Sequence, residues 1–132
     1  MSLSIITHFS GRALRVAGIH TEADFTNGGV FSFQLLTIDP MAFVTAFNQI
    51  ADICEDEEYF ETYHEIVIES SKYRRYVVSK TVGGLVNMTL NNWTQVFSSL
   101  NAYQLRQIAS AIKKEVEQFN ARLGCDETAW TQ

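Results

Sequence analysis

The stretch from Asn101 to Gly124 constrains the fold more than any other. Leu105, Ile108, Ala109, Ile112, Val116, Phe119 and Leu123 recur at steps of three and four, and Arg106, Gln107, Ser110, Lys113, Lys114, Glu117, Gln118 and Arg122 fill the opposite side. This pattern predicts an amphipathic helix. Asn101 followed three residues later by Gln104 reads as a capping box, Arg122 suits the negative helix end, and Gly124 supplies a left-handed stop. Burying such a stripe is worth roughly 10 kcal/mol gross, at about 1.5 to 3 kcal/mol per large side chain, so the chain must also build a sheet surface to receive it.

The remaining segments supply strands for that sheet. Leu3 to Phe9 and Arg12 to Gly18 read as a hairpin around Ser10-Gly11, with Leu3, Ile5, Phe9, Leu14 and Val16 on one face and Ile6, His8 and Arg15 on the other. Ile19 to Gly29 is loop-like. Val30 to Ile38 alternates, with Phe31, Phe33 and Leu35 inward and Ser32 and Gln34 outward. Asp39-Pro40 then starts a helix whose buried stripe is Met41, Val44, Phe47, Ile50, Ala51 and Cys54, and the helix is extended through Glu55 to Thr62.

His64 to Ser70, Tyr73 to Val82 and Leu85 to Leu90 read as a three-stranded meander. Two-residue turns at Ser70-Ser71 and Gly83-Gly84 set its register: Ile68 opposite Tyr73, Ile66 opposite Arg75, Thr81 opposite Val86 and Ser79 opposite Met88. That register sends Ile66, Ile68, Tyr73, Val77, Val86, Met88 and Leu90 inward. Glu65, Val67, Glu69, Lys72, Arg74, Tyr76, Val78, Lys80, Leu85, Asn87 and Thr89 point outward. Asn91 caps a short helix over Asn92 to Ser99. The order β-β-β-α-β-β-β-α-α predicts an α+β domain over residues 1–124, a largely antiparallel sheet with helices on one face, followed by a loose C-terminal tail at 125–132.

At 132 residues the chain is long enough for a core of its own. No apolar run approaches the length of a membrane span and no export signal stands at the start, so a cytoplasmic protein with no membrane contact is expected, with Cys54 and Cys125 reduced. The net charge of −5 disfavours nucleic acid as a partner. Nine acids and no Lys or Arg lie between Asp39 and Ser71, whereas eight bases against two acids lie between Lys72 and Arg122. Charge is therefore segregated along the chain.

No catalytic or nucleotide-binding signature stands out, and no cofactor is implied. Glu61 and His64 have a spacing that would align two metal ligands on a helix, but such sites need a second copy of the motif, so they rank as weak metal candidates. His8, His20 and His64 are possible bases and the two cysteines possible nucleophiles, with nothing to place base beside thiol. Gly28-Gly29 and Gly83-Gly84 lack the pattern of a phosphate loop. Two features favour protein binding. One is the outward meander face, where Lys72, Arg74, Tyr76, Val78 and Lys80 mix cations with apolar groups. The other is the acidic segment from Glu55 to Glu65, where Glu57, Glu58 and Glu61 accompany Tyr59, Phe60 and Tyr63. The resulting expectation is a small non-enzymatic interaction module, an adaptor or inhibitor that binds a basic protein surface or pairs with itself as a homodimer. The alternative is a small enzyme or ligand-binding domain with a pocket between sheet and helices, using Glu61, His64 and Arg75.

Overall fold

A computed structural model describes residues 4–10, 13–19, 31–37 and 39–122. Leu3, Arg12, His20, the Gly28-Gly29 pair, Leu123, Gly124, Cys125 and the expected tail lie outside the described residues. The described residues form two antiparallel meanders, each followed by a helix. The first comprises β1 (Ser4–Ser10), β2 (Ala13–Ile19) and β3 (Phe31–Leu36), and leads into α1 (Pro40–Glu55). A single 3₁₀ turn at Glu57–Tyr59 follows. The second comprises β4 (His64–Ser71), β5 (Arg74–Lys80), β6 (Val86–Leu90) and β7 (Thr94–Leu100), and leads into α2 (Ala102–Arg122). The α+β class is as the sequence indicates, although the strands form two sheets rather than one.

The helices follow their sequence signals closely. Asn101 N–H donates to Gln104 Oε1 and Gln104 N–H donates to Asn101 Oδ1, both at 2.9 Å, which is the reciprocal capping box at the start of α2. Leu105, Ile108, Ala109, Ile112 and Val116 are buried, and Phe119 is partly so. This stripe packs chiefly on α1 and also reaches β1, while the other side of α1 meets β4 and β5. Pro40 opens α1, and the preceding turn is fixed by Asp39 N–H donating to Thr37 Oγ1 at 2.9 Å; the Asp39 side chain itself makes no cap.

Phe43, outside the stripe read from the sequence, is fully buried. It belongs to an aromatic row through the core. Phe33 of β3 meets Phe97 of β7 (5.3 Å between centroids), Phe97 meets Phe47 (5.9 Å), Phe47 meets Phe43 (6.0 Å), and Phe43 meets the edge of Tyr76 on β5 (5.0 Å). One cluster of side chains thus spans both sheets and both helices.

Four expectations are corrected. Helix α1 stops at Glu55 instead of continuing to Thr62. Its last turn holds no cation, and extension would stack Asp56, Glu57 and Glu58 on the negative end of the helix dipole. Asp56 turns extended, and its carboxylate accepts the Glu58 N–H at 3.0 Å. Between β1 and β2 the pairing is displaced by two residues, with Thr7 opposite Val16 and Phe9 opposite Leu14. An even displacement preserves the faces: Leu14 and Val16 are buried, and His8 and Arg15 are exposed.

The second meander is displaced by odd steps, so β5 is turned over. Lys80 pairs with Val86, Val78 with Ile66 and Met88, and Tyr76 with Ile68 and Leu90. Tyr76, Val78 and Lys80 are therefore interior, not outward. The connections cause this. Residues Thr81 to Leu85 form a longer loop closed by Thr81 N–H donating to Leu85 O (2.8 Å), with Gly83 and Gly84 at φ of 99° and 83°, and an irregularity between Glu69 and Ser71 shifts the other ladder.

The expected helix over Asn92 to Ser99 is strand β7. Asn91 and Asn92 both adopt left-handed φ values (54° and 63°), the conformation of a tight hairpin turn. The Asn91 side chain accepts from Arg75 N–H and donates to Tyr73 O, both at 2.8 Å, so it anchors the turn to the start of β5 and caps no helix. Ser99 (φ 59°) breaks the alternation of β7, its N–H held by Asn87 Oδ1 at 2.9 Å; Phe97 and Leu100, an odd interval apart, both reach the core.

Candidate functional site

The acidic segment emerges as the candidate surface. From Asp56 to Tyr63 every residue is exposed, and His64 enters β4 partly covered. Phe60 is 52% and Tyr63 58% accessible, beside Val82 at 65% and Leu85 on the β5–β6 loop. The two stretches are joined through main chain: Gly83 N–H donates to Phe60 O at 3.1 Å. Within the segment, Thr62 N–H and Oγ1 both donate to Tyr59 O (3.1 and 2.8 Å), and Tyr59 stands edge-on to His64 with centroids 5.1 Å apart. The aromatic groups are thus held on a ridge made by short hydrogen-bonded turns.

Beneath this ridge lies Lys80, which is fully buried. Its ammonium donates to Thr62 O at 2.7 Å and to Phe60 O and Thr81 O at 3.2 Å. A buried cation is costly unless its hydrogen bonds are satisfied, and an ammonium has three donors to place. All three are used, each on a backbone carbonyl. Sequence reasoning missed this role because a strand lysine reads as outward; the available signal was its parity with Tyr76 and Val78.

The carboxylates divide into two groups. Arg106 of α2 binds both Asp52 and Glu55, which raises its guanidinium above the ordinary range and ties the end of α1 to α2. Among the described residues no cation pairs with Asp56, Glu57, Glu58 or Glu61. Glu65 accepts from Tyr63 Oη at 3.0 Å. Exposed, unpaired carboxylates interleaved with exposed aromatics are suited to a cationic partner that also has apolar groups to bury.

The outward meander face is not assembled. Lys72 is exposed in the β4–β5 turn with its ammonium 5.6 Å from the Tyr73 ring, Arg74 is half-buried, and Tyr76, Val78 and Lys80 are interior. Glu61, His64 and Arg75 are not brought together either. His64 lies opposite Lys80 and Arg75 opposite Glu69, at different ends of β4. Glu61 sits on no helix, His64 Nε2 is 2.7 Å from Thr62 Oγ1, and among the described residues no three potential ligands cluster about a metal position. Cys54 is a free, partly buried thiol. Burial raises its pKa, the Lys80 cation lowers it in part, and Glu55 adds to the rise. A thiol kept protonated is a poor nucleophile.

No family model matches this chain, and no curated protein matches it. The chemistry of the site therefore rests on its own residues. Core side chains from both sheets and both helices pack against one another, and grooves open at the surface. One lies between β1 and α2, bordered by Ile5, Tyr103, Arg106, Gln107, Ser110 and Lys114; another borders the acidic segment at Asp52, Glu55, Asp56, Glu57 and Arg106. None of the described helices is long and apolar enough to cross a membrane.

Proposed function

We propose that this chain is a non-enzymatic docking module, an adaptor or inhibitor, whose working surface is the segment from Asp56 to Glu65 together with the β5–β6 loop. The observation that carries this reading is the combination of unpaired carboxylates at Asp56, Glu57, Glu58 and Glu61 with exposed Tyr59, Phe60, Tyr63, Val82 and Leu85 on two hydrogen-bonded stretches. Its partner is a basic protein surface with apolar groups at its centre. The charges would speed and orient encounter, and the aromatics would supply the buried contact. Tyr76 and Val78 are core residues, so they contribute nothing to a surface on which two copies could pair.

The test uses a synthetic peptide of alternating arginine and leucine, titrated into isotopically labelled protein. Amide shifts confined to residues 56–65 and 81–85, weakened by salt and abolished by the triple reversal Glu57→Lys, Glu58→Lys, Glu61→Lys, are the expected outcome. Shifts located elsewhere, or binding that survives the reversal, would overturn the proposal.

A further inference from the structure

We infer that Lys80 is the positioning residue of the docking segment: its buried ammonium holds the stretch from Asp56 to Thr62 against the β5–β6 loop and thereby keeps Tyr59, Phe60 and Tyr63 presented to solvent. The functional sense of this inference rests on the docking proposal above, whereas its conformational content stands apart from it. Nine acids lie between Asp39 and Ser71, yet the ammonium selects three main-chain carbonyls. It is used to fix geometry.

Two of those carbonyls, Phe60 O and Thr62 O, come from the exposed segment, and the third, Thr81 O, from the start of the loop. Phe60 O also accepts the Gly83 N–H. A single oxygen therefore joins segment, lysine and loop. The segment contributes no fully buried side chain of its own to the core, so little else would hold it down. Removing the ammonium takes from Thr62 O its donor and leaves Phe60 O and Thr81 O with only the N–H groups of Gly83 and Gly84, a penalty that lifting the segment into water would relieve.

The experiment is amide hydrogen exchange on the full chain as wild type, Lys80→Met and Lys80→Arg. Lys80→Met should accelerate exchange at Gly83 and Thr62 by at least about tenfold while the buried stripe of α2 keeps its protection, and Lys80→Arg should restore part of the difference. Binding of the arginine–leucine peptide should weaken in Lys80→Met although every carboxylate remains. Unchanged exchange at Gly83 and Thr62, or acceleration shared equally by Leu105 and Ile108, would overturn the inference. Should Lys80→Met not fold, the wild-type protein still decides: slowly exchanging ammonium protons on Lys80, coupled to the carbonyls of Phe60 and Thr62, are required. Fast-exchanging, uncoupled protons would refute it. A wild-type protein that ignores the peptide but shows the exchange pattern would defeat the docking proposal alone.

Discussion

The phenol oxygen of Tyr76 accepts the backbone N–H of Leu36 at 3.3 Å, across forty residues of sequence. With Ser70 Oγ donating to Leu36 O at 2.9 Å, both polar groups of that residue's backbone are engaged by the second meander at the point where β3 ends. Tyr76→Phe keeps the ring against Phe43 and removes only the acceptor. It should destabilise the domain by about 1 kcal/mol, measured by urea unfolding at constant m-value. No change would mean that this hydrogen bond adds nothing to the contact between the meanders.

The orientation of β5 is open to a sharper check. Val78 is fully buried between Ile66 and Met88, so Val78→Ser removes core volume and introduces a hydroxyl there. A loss of about 2–4 kcal/mol is expected, against a few tenths for the same change at an outward position. The neighbouring exposed Val82→Ser serves as the control.

Arg106 bridges Asp52 and Glu55 at the surface, where solvent screens the pairing. Arg106→Ala should cost no more than about 1 kcal/mol, and the difference from wild type should shrink in concentrated salt. A larger, salt-insensitive loss would show that the arginine stem packs the two helices together.

Cys54 makes stability depend on alkaline pH. Because burial raises its folded-state pKa above the ordinary 9.0, the unfolded chain releases the thiol proton first. The stabilising contribution is complete below pH 9.0 and is lost as pH rises from there through the folded value. Wild type should therefore lose stability more steeply than Cys54→Ala in that window. In a Cys125→Ser background, iodoacetamide should modify Cys54 with an inflection above pH 9.0, and an inflection below it would contradict the assignment.

How much of this was legible depends on what fixed each element. Helix α2 carried an independent period and its own cap, and the pairing of Asn101 with Gln104 needed no information from elsewhere in the chain. The strands were visible as strands, but their partners were set by turns. In β5, Tyr76, Val77 and Val78 are all buried, so apolar alternation alone could not choose a face. The choice depended on the loop, where the Thr81–Leu85 bond encloses Val82, Gly83 and Gly84, one residue more than a glycine pair suggests. Asn91 and Asn92 carried the left-handed preference of a hairpin turn, yet an asparagine before Trp93 and Val96 reads equally well as a helix cap. The acidic segment was found from composition. Its backing by Lys80 was not, since a cation satisfied by three carbonyls leaves no complementary charge in the sequence.

Every hydrogen-bonded strand pair among the described residues joins neighbours in sequence: β1 to β2, β2 to β3, and β4 through β7 in turn. Each ladder therefore forms between segments close in the chain, the widest separation being residues 20–30 between β2 and β3, at little cost in chain entropy. The assembly step that brings remote parts of the chain together is the meeting of two already ordered meanders, with Phe33 against Phe97 and the helices closing over the seam. Folding rate should accordingly respond more to substitutions at that aromatic contact than to the length of the connection between α1 and β4.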